Sequence, residues 1–206
     1  DDGMLPIFTA PMSCVIDENN WEKFHNEGIH TIIPRSVSLE KRLSLMTKTW
    51  VAMGLEEFRV NIVSSRQALK DNQMFICIDI ANGHMRRLYF LAKEAKEMYG
   101  DSLQLMVGNV ANPEIYGFFA KIQVDYIRLG IGSGNVCTTS ANSGVHYPMA
   151  SLINTIVEFK KKCISSGTKL KLPKIIADGG FKNFDQINKA LALGADYVML
   201  GEIFAK

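Results

Sequence analysis

Eight short apolar runs recur along the chain, and a helix-forming stretch separates nearly every one from the next. The runs are 5–9, Thr31–Ile33, Trp50–Met53, Met74–Ile78, 103–107, Tyr126–Leu129, 174–177 and Tyr197–Leu200. Met74-Phe-Ile-Cys-Ile78 is apolar throughout, the pattern of a strand buried on both faces. Helical signals fall between them. Trp21, Phe24 and His25 share a face that stops at Gly28, Ser38 is placed to cap 39–46, and a further helix is expected over much of 56–70. Leu88, Leu91, Ala92 and Ala95 form one stripe in 85–99. Pro113 opens another helix, and two more are expected over 149–163 and 183–193, the last closed by Gly194. Such alternation implies a parallel sheet. Eight units favour a closed (β/α)8 barrel, the TIM barrel of the α/β class, as one domain over 1–206. A doubly wound open sheet is the alternative.

In a barrel the chemistry belongs to the loops that follow the strands. Polar or glycine-rich clusters do follow them here: Met12-Ser13, Arg35, Asp79 with Asn82-Gly83, Gly108-Asn109, the stretch 130–139, Asp178-Gly179-Gly180, and Gly201-Glu202. The stretch Gly130-Ile-Gly-Ser-Gly-Asn-Val-Cys-Thr-Thr139 has glycine at three alternate positions, which suits neither a strand nor a helix interior. Such a loop can aim carbonyls at a cation or amides at an anion. Cys137 beside two threonines, at the carboxyl end of a strand, is where covalent catalysis would be placed. A plain glycine turn around a buried cysteine is the alternative reading. Asp178-Gly179-Gly180 and Gly201 end the seventh and eighth units, where barrels often bind phosphate. Asp178 would repel the phosphate itself and is better placed to accept from a ribose diol. Glu202 is a poor neighbour for a phosphate.

The bulk composition is that of an ordinary globular protein, and a net charge of +2 gives no case for a nucleic-acid or membrane partner. No apolar run approaches the roughly 18 residues of a membrane span, and no signal peptide is visible. Cys14, Cys77, Cys137 and Cys163 are far apart and lack metal-ligand spacing, so free thiols and a reducing, cytoplasmic setting are expected.

The stretch 130–139 closely resembles the active-site loop of the IMP dehydrogenase and GMP reductase family. Ile76-Cys-Ile-Asp-Ile-Ala-Asn-Gly83, Gly108-Asn-Val110, Ala177-Asp-Gly-Gly180 and Val198-Met-Leu-Gly201 match the same family in the same order. Within it, Asp-Ile-Ala-Asn-Gly, and Cys137-Thr-Thr followed by Ser143-Gly-Val-His-Tyr-Pro148, look like the reductase branch. The resemblance implies a purine nucleotide oxidoreductase that converts GMP to IMP with NADPH through a covalent Cys137 adduct at purine C2. Conversion of IMP to XMP with NAD, and a nucleotide-binding barrel without turnover, are the alternatives, with an unrelated phosphate-binding barrel as a further one.

The resemblance also implies roles for single residues. Cys137 and Thr139 are catalytic, Thr139 relaying protons. Met12, Asp178, Gly179, Gly180, Gly201 and Glu202 meet the substrate, a purine nucleoside monophosphate. Arg35, Asp79, Ile80, Ala81, Gly108, Asn109, Ile131 and Gly132 meet the cofactor. The carbonyls of Gly132, Gly134 and Cys137 hold potassium. His84 and His146 fall on no catalytic position of the family and are read as structural or rim residues. Family members are usually tetramers, so a homo-oligomer is expected. The chain departs from the family at four places: Ser13 stands where an aspartate is usual, Arg35 for a lysine, Ser140 for an arginine, and Glu202 for a small residue. The family's base-reading segment and catalytic glutamate lie beyond strand eight, so terminal extensions are expected outside 1–206.

Overall fold

The structure is a computed structural model that describes residues 3–65, 73–132 and 146–205. Eight strands run in parallel: β1 (Ile7–Thr9), β2 (Ile32–Ile33), β3 (Trp50–Met53), β4 (Met74–Ile78), β5 (Leu103–Val110), β6 (Tyr126–Leu129), β7 (Lys174–Asp178) and β8 (Tyr197–Leu200). Each from β3 to β7 lies between its sequence neighbours, β2 pairs with β3, and β8 pairs with β1 through Ile7↔Val198, Phe8↔Met199 and Thr9↔Leu200. The remaining seam is bridged between β1 and the residues before β2. The Thr9 N–H donates to the His30 carbonyl (2.9 Å), and the His30 N–H to the Ile7 carbonyl (3.0 Å). The Thr9 hydroxyl then accepts from the Ile32 N–H at 3.0 Å. The sheet is therefore the (β/α)8 barrel that the alternation implied.

The helices among the described residues are α1 (Trp21–Asn26), α2 (Leu39–Leu45), α3 (Leu55–Phe58), α4 (Arg86–Tyr99), α5 (Pro113–Lys121), α6 (Met149–Ser165) and α7 (Phe184–Ala192). Side-chain caps start several of them: Ser38 accepts from Lys41, Asn112 from Ile115 and Asn183 from Gln186. The long helix expected after Glu56 differs. Among the described residues of that stretch α3 is α-helical and the chain then widens into a π-helix over Arg59–Ser64, while 66–70 lie outside the described residues. The Asn61 side chain donates to the Glu57 carbonyl at 2.8 Å, an oxygen that the α-helical ladder would otherwise use. Strand β5 also outruns its expected end. Gly108 and Asn109 lie within it, where the register with β6 shifts between Val107 and Val110.

Side chains alternate across each strand and divide the core in two. One set packs between sheet and helices, including Val51, Ile76, Val107, Ile127, Ile175 and Val198 with Leu88, Phe119 and Ile156. The other fills the barrel: Phe8, Ile32, Trp50, Cys77, Met106, Ile176, Tyr197 and Met199. Trp50, Tyr126 and Tyr197 are the first residues of their strands, so their rings occupy the amino-terminal end. Phe8 meets all three edge-on, at centroid distances of 5.9, 6.0 and 5.2 Å, and stacks on His30 at 4.6 Å. That plug closes the lower end and leaves the carboxyl end for a site.

Candidate functional site

Two residues beyond Tyr126, on the same interior face, β6 carries Arg128. The residue is 6% exposed, and its guanidinium lies inside the carboxyl end of the barrel, between Asp79 and Asp178. Its Nη1 donates to Asp79 Oδ1 at 2.8 Å, and its Nη2 and Nε to Asp178 Oδ2 at 2.8 and 3.2 Å. Burial works against that charge, but Asp178, Cys77 and Asp79 together hold its pKa well above the ordinary value. The Cys77 thiol lies beneath, 3.6 Å from Nη1. Burial pushes its pKa up to about 12, so it is an inert core thiol.

Asp178 ends β7 and Asp79 follows β4, so one buried cation ties together the ends of strands three apart in the sheet. Asn109 completes the arrangement from β5, donating to Asp178 Oδ2 and to the Gly130 carbonyl, both at 2.9 Å. Gly108 makes the approach possible: a Cβ there would lie 2.5 Å from the Arg128 Cβ. Beyond Asp178, Gly179 and Gly180 both take positive φ, at 97° and 85°, which turns the chain back over the barrel mouth.

Above this cluster opens a cavity of about 480 Å³. Of the residues singled out in the sequence, Met12, Asp79, Ile80, Ala81, Asn109, Ile131, Gly132, Asp178, Gly179, Gly180, Gly201 and Glu202 all line it. Arg35 and Gly108 do not. Arg35 is half-exposed, with its Nε 3.7 Å from Glu57. Gly108 is buried against Arg128. Gly134, Cys137 and Thr139, and the Ser140 departure, lie outside the described residues. The chain on either side of them does not: the Tyr147 N–H donates to the Ile131 carbonyl (3.2 Å), and His146 Nδ1 bonds the Gly132 carbonyl (3.1 Å). The described residues on either side of 133–145 are thus hydrogen-bonded to each other beside the cavity, which Ile131 and Gly132 line.

His84 is structural, as expected. Its Nε2 accepts from the Ala111 N–H at 3.1 Å, and burial lowers its pKa, so the ring is neutral and ties the loop after β4 to the end of β5. Reading the sequence missed Arg128, and with it Cys14 and Phe181, which also line the cavity. The signal for Arg128 was present: it is the only charged side chain in the run Tyr126–Leu129. Among the described residues no three His, Cys, Asp or Glu side chains are grouped to hold a metal ion, and no helix is long and apolar enough to cross a membrane.

Comparison with known proteins agrees with this geometry. The family model for the IMP dehydrogenase / GMP reductase domain matches residues 4–206. A GMP reductase of Aliivibrio fischeri is 32% identical over 208 residues, covering 97% of this chain and 57% of that protein. An inosine-5'-monophosphate dehydrogenase of Chlorobaculum parvum is 39% identical over 130 residues, covering 63% of this chain and 24% of that protein. The crystal structure of inosine 5' monophosphate dehydrogenase from Legionella pneumophila superposes with a TM-score of 0.78 at 30% identity, over 98% of this chain and 59% of that one. The chain thus spans little more than half the length of the relatives that match it from end to end. With its fold, its ordered loop motifs and a match over nearly all its residues, the chain belongs to the IMP dehydrogenase / GMP reductase family.

Proposed function

We propose that the chain is the barrel of a cytoplasmic, homo-oligomeric purine nucleotide oxidoreductase that converts GMP to IMP with NADPH. One observation carries the reading: the Asp178-Gly-Gly loop, Gly201 and the rim from which the Cys137 stretch departs all face one cavity. A single nucleotide can then meet them all. Its phosphate lies at the backbone of Gly179, Gly180 and Gly201, its ribose at Asp178, and C2 of its base toward Cys137.

The steps belong to this chain's residues. The Cys137 thiolate adds to C2 of GMP, and ammonia leaves that carbon. A nicotinamide, when bound, supplies the hydride that C2 then accepts. Departure of the thiolate releases IMP. Thr139 moves protons near the thiol. Arg128 acts earlier, as a positioning residue: it fixes the carboxylates of Asp79 and Asp178, so that their remaining lone pairs accept hydrogen bonds from ligands. The lining suits a flat ring carrying an amide, with Ile80, Ala81 and Ile131 as apolar walls and Asn109 and Asp79 as polar partners. Gly132 is the one proposed potassium ligand among the described residues. Its carbonyl takes the His146 bond and keeps a second lone pair for a cation.

The preference for reduction rests on the reductase-like Cys137-Thr-Thr and Tyr147-Pro148 motifs and on the reductase relative that matches 97% of the chain. The 39% identity to a dehydrogenase favours a second reading, oxidation of IMP with NAD, in which the same thiol attacks and water resolves the adduct. Incubating the intact protein with GMP and NADPH, and separately with IMP and NAD, decides between them. NADPH consumption only with GMP is expected. NADH formation only with IMP would replace this reading by the second, and no turnover in either would leave a binding protein.

A further inference from the structure

We propose that a second cavity, between α4 and α5 on the outside of the barrel, binds an aryl carboxylate: a flat apolar ring system that carries one anionic group. The proposal goes beyond the purine-nucleotide reading and does not depend on it.

The cavity holds about 430 Å³ and shares no lining residue with the one above Arg128. Its walls are Met85, Tyr89, Phe90, Ile115, Phe118 and Phe119. Tyr89 meets Phe90 and Phe118 edge-on, at centroid distances of 5.6 and 6.2 Å. Yet Met85, Phe90 and Phe118 are 41%, 57% and 48% exposed, so much of this apolar surface faces water. A flat ring laid among such side chains gains buried area and edge-to-face contact together.

The remaining side chains of the lining set the sign of the ligand. Arg86 is the only charged one, and no carboxylate accompanies it in the lining. Arg35, Arg42, Arg59, Arg87 and Arg128 each pair with a carboxylate, whereas Arg86 has no such partner among the described residues. His84 is a second donor. Its Nε2 accepts from the Ala111 N–H, which leaves the ring proton on Nδ1, where it has no partner among the described residues. Helix α4 also starts here with no acidic residue in its first turn, so its dipole favours the same sign. An aromatic cleft with an unpaired cation calls for a ligand that is apolar over most of its surface and anionic at one edge.

The test is calorimetry of 2-naphthoate and of its neutral counterpart 2-naphthamide, on the intact protein and on three variants. Naphthoate should bind the unaltered protein more tightly than naphthamide. Arg86→Gln should weaken naphthoate about fivefold, the scale of a partly exposed ion pair, and naphthamide less than about twofold. Arg87→Gln removes the neighbouring cation, which Glu56 already holds, and should leave both within about twofold. Phe118→Ala should weaken both about tenfold, because both use the ring wall. No binding of naphthoate by the unaltered protein, or equal effects of Arg86→Gln on the two probes, overturns the proposal. So does a loss of naphthoate in Arg87→Gln as large as that in Arg86→Gln, or an affinity that survives Phe118→Ala unchanged. If the protein binds neither probe and Phe118→Ala dissociates it in sedimentation, the face is instead a contact between copies of this chain, and the proposal falls.

Discussion

The two ends of the barrel are held together by different physics. At the amino-terminal end, Phe8, Trp50, Tyr126 and Tyr197 make a dry ring cluster, and stability there comes from apolar area and aromatic packing. At the carboxyl end the barrel holds a buried cation between two carboxylates, glycines that let backbones approach, and an open cavity. A buried ion pair is a poor source of stability compared with well-packed apolar groups of similar volume. Another buried pair, Lys96–Asp125, lies between α4 and the start of β6, outside the barrel interior. Within the interior the ion pair belongs to the upper end, where it orients acceptors, while aromatic packing fills the lower end.

The largest expected effect comes from breaking the upper cluster. Arg128→Met leaves the partly buried Asp79 and Asp178 without their cation, and should cost about 1–3 kcal/mol in urea unfolding and weaken GMP binding as well. If stability is unchanged, the cluster is not the strained part of the barrel. Next, Asp178→Ala should weaken GMP by about 1.5–3 kcal/mol, measured by calorimetry, because charge-assisted hydrogen bonds to the ribose are lost. Unaltered affinity would remove Asp178 from the site. At the other end, Phe8→Leu should lower stability by about 1.5 kcal/mol while the folded protein keeps its GMP affinity. A matching fall in affinity would blur the division between the two ends.

The smallest effect concerns pH. His84 is held below its ordinary pKa of 6.5, first of all by burial, so the unfolded chain binds the proton more readily than the native one. The contribution of His84 to stability is thus present above about pH 6.5 and is lost as pH falls below it. The bond from the Ala111 N–H to Nε2 breaks in the same range. Thermal unfolding followed against pH should show this acid-side loss, and His84→Gln should lack it.

The strand-by-strand architecture was legible because the strands are short, mainly apolar runs and several of the helices between them carry a period or a side-chain cap. The positions of the loop residues were legible for the same reason: parallel alternation sends every loop after a strand to one end. Three features were not. The π-helical turn at 59–64, where the Asn61 side chain donates to the Glu57 carbonyl, has no sequence period of its own. Gly108 reads as a loop glycine, yet its role is to make room for Arg128 inside a strand. Arg128 itself stands out in the sequence only as the one charged side chain of its run. In a barrel, however, both faces of a strand are covered, so a charge there must be paired inside. Its partners lie 49 and 50 residues away in the chain, a separation at which no local pattern can announce them.

The central claim is that a purine nucleotide occupies the carboxyl-end cavity while the rest of the barrel only supports it. The cysteines report on this directly. Cys14 lines the cavity, Cys77 is buried beneath Arg128, Cys163 lies on α6 outside the barrel, and Cys137 belongs to the stretch that follows Gly132 at the cavity. The measurement is iodoacetamide labelling of the intact protein, read by peptide mass with and without GMP. The account expects Cys137 to label fastest, GMP to protect Cys137 and Cys14, Cys163 to label equally in both samples, and Cys77 to stay unmodified. Equal labelling of Cys14 and Cys137 with and without GMP, or protection of Cys163 alone, would contradict it.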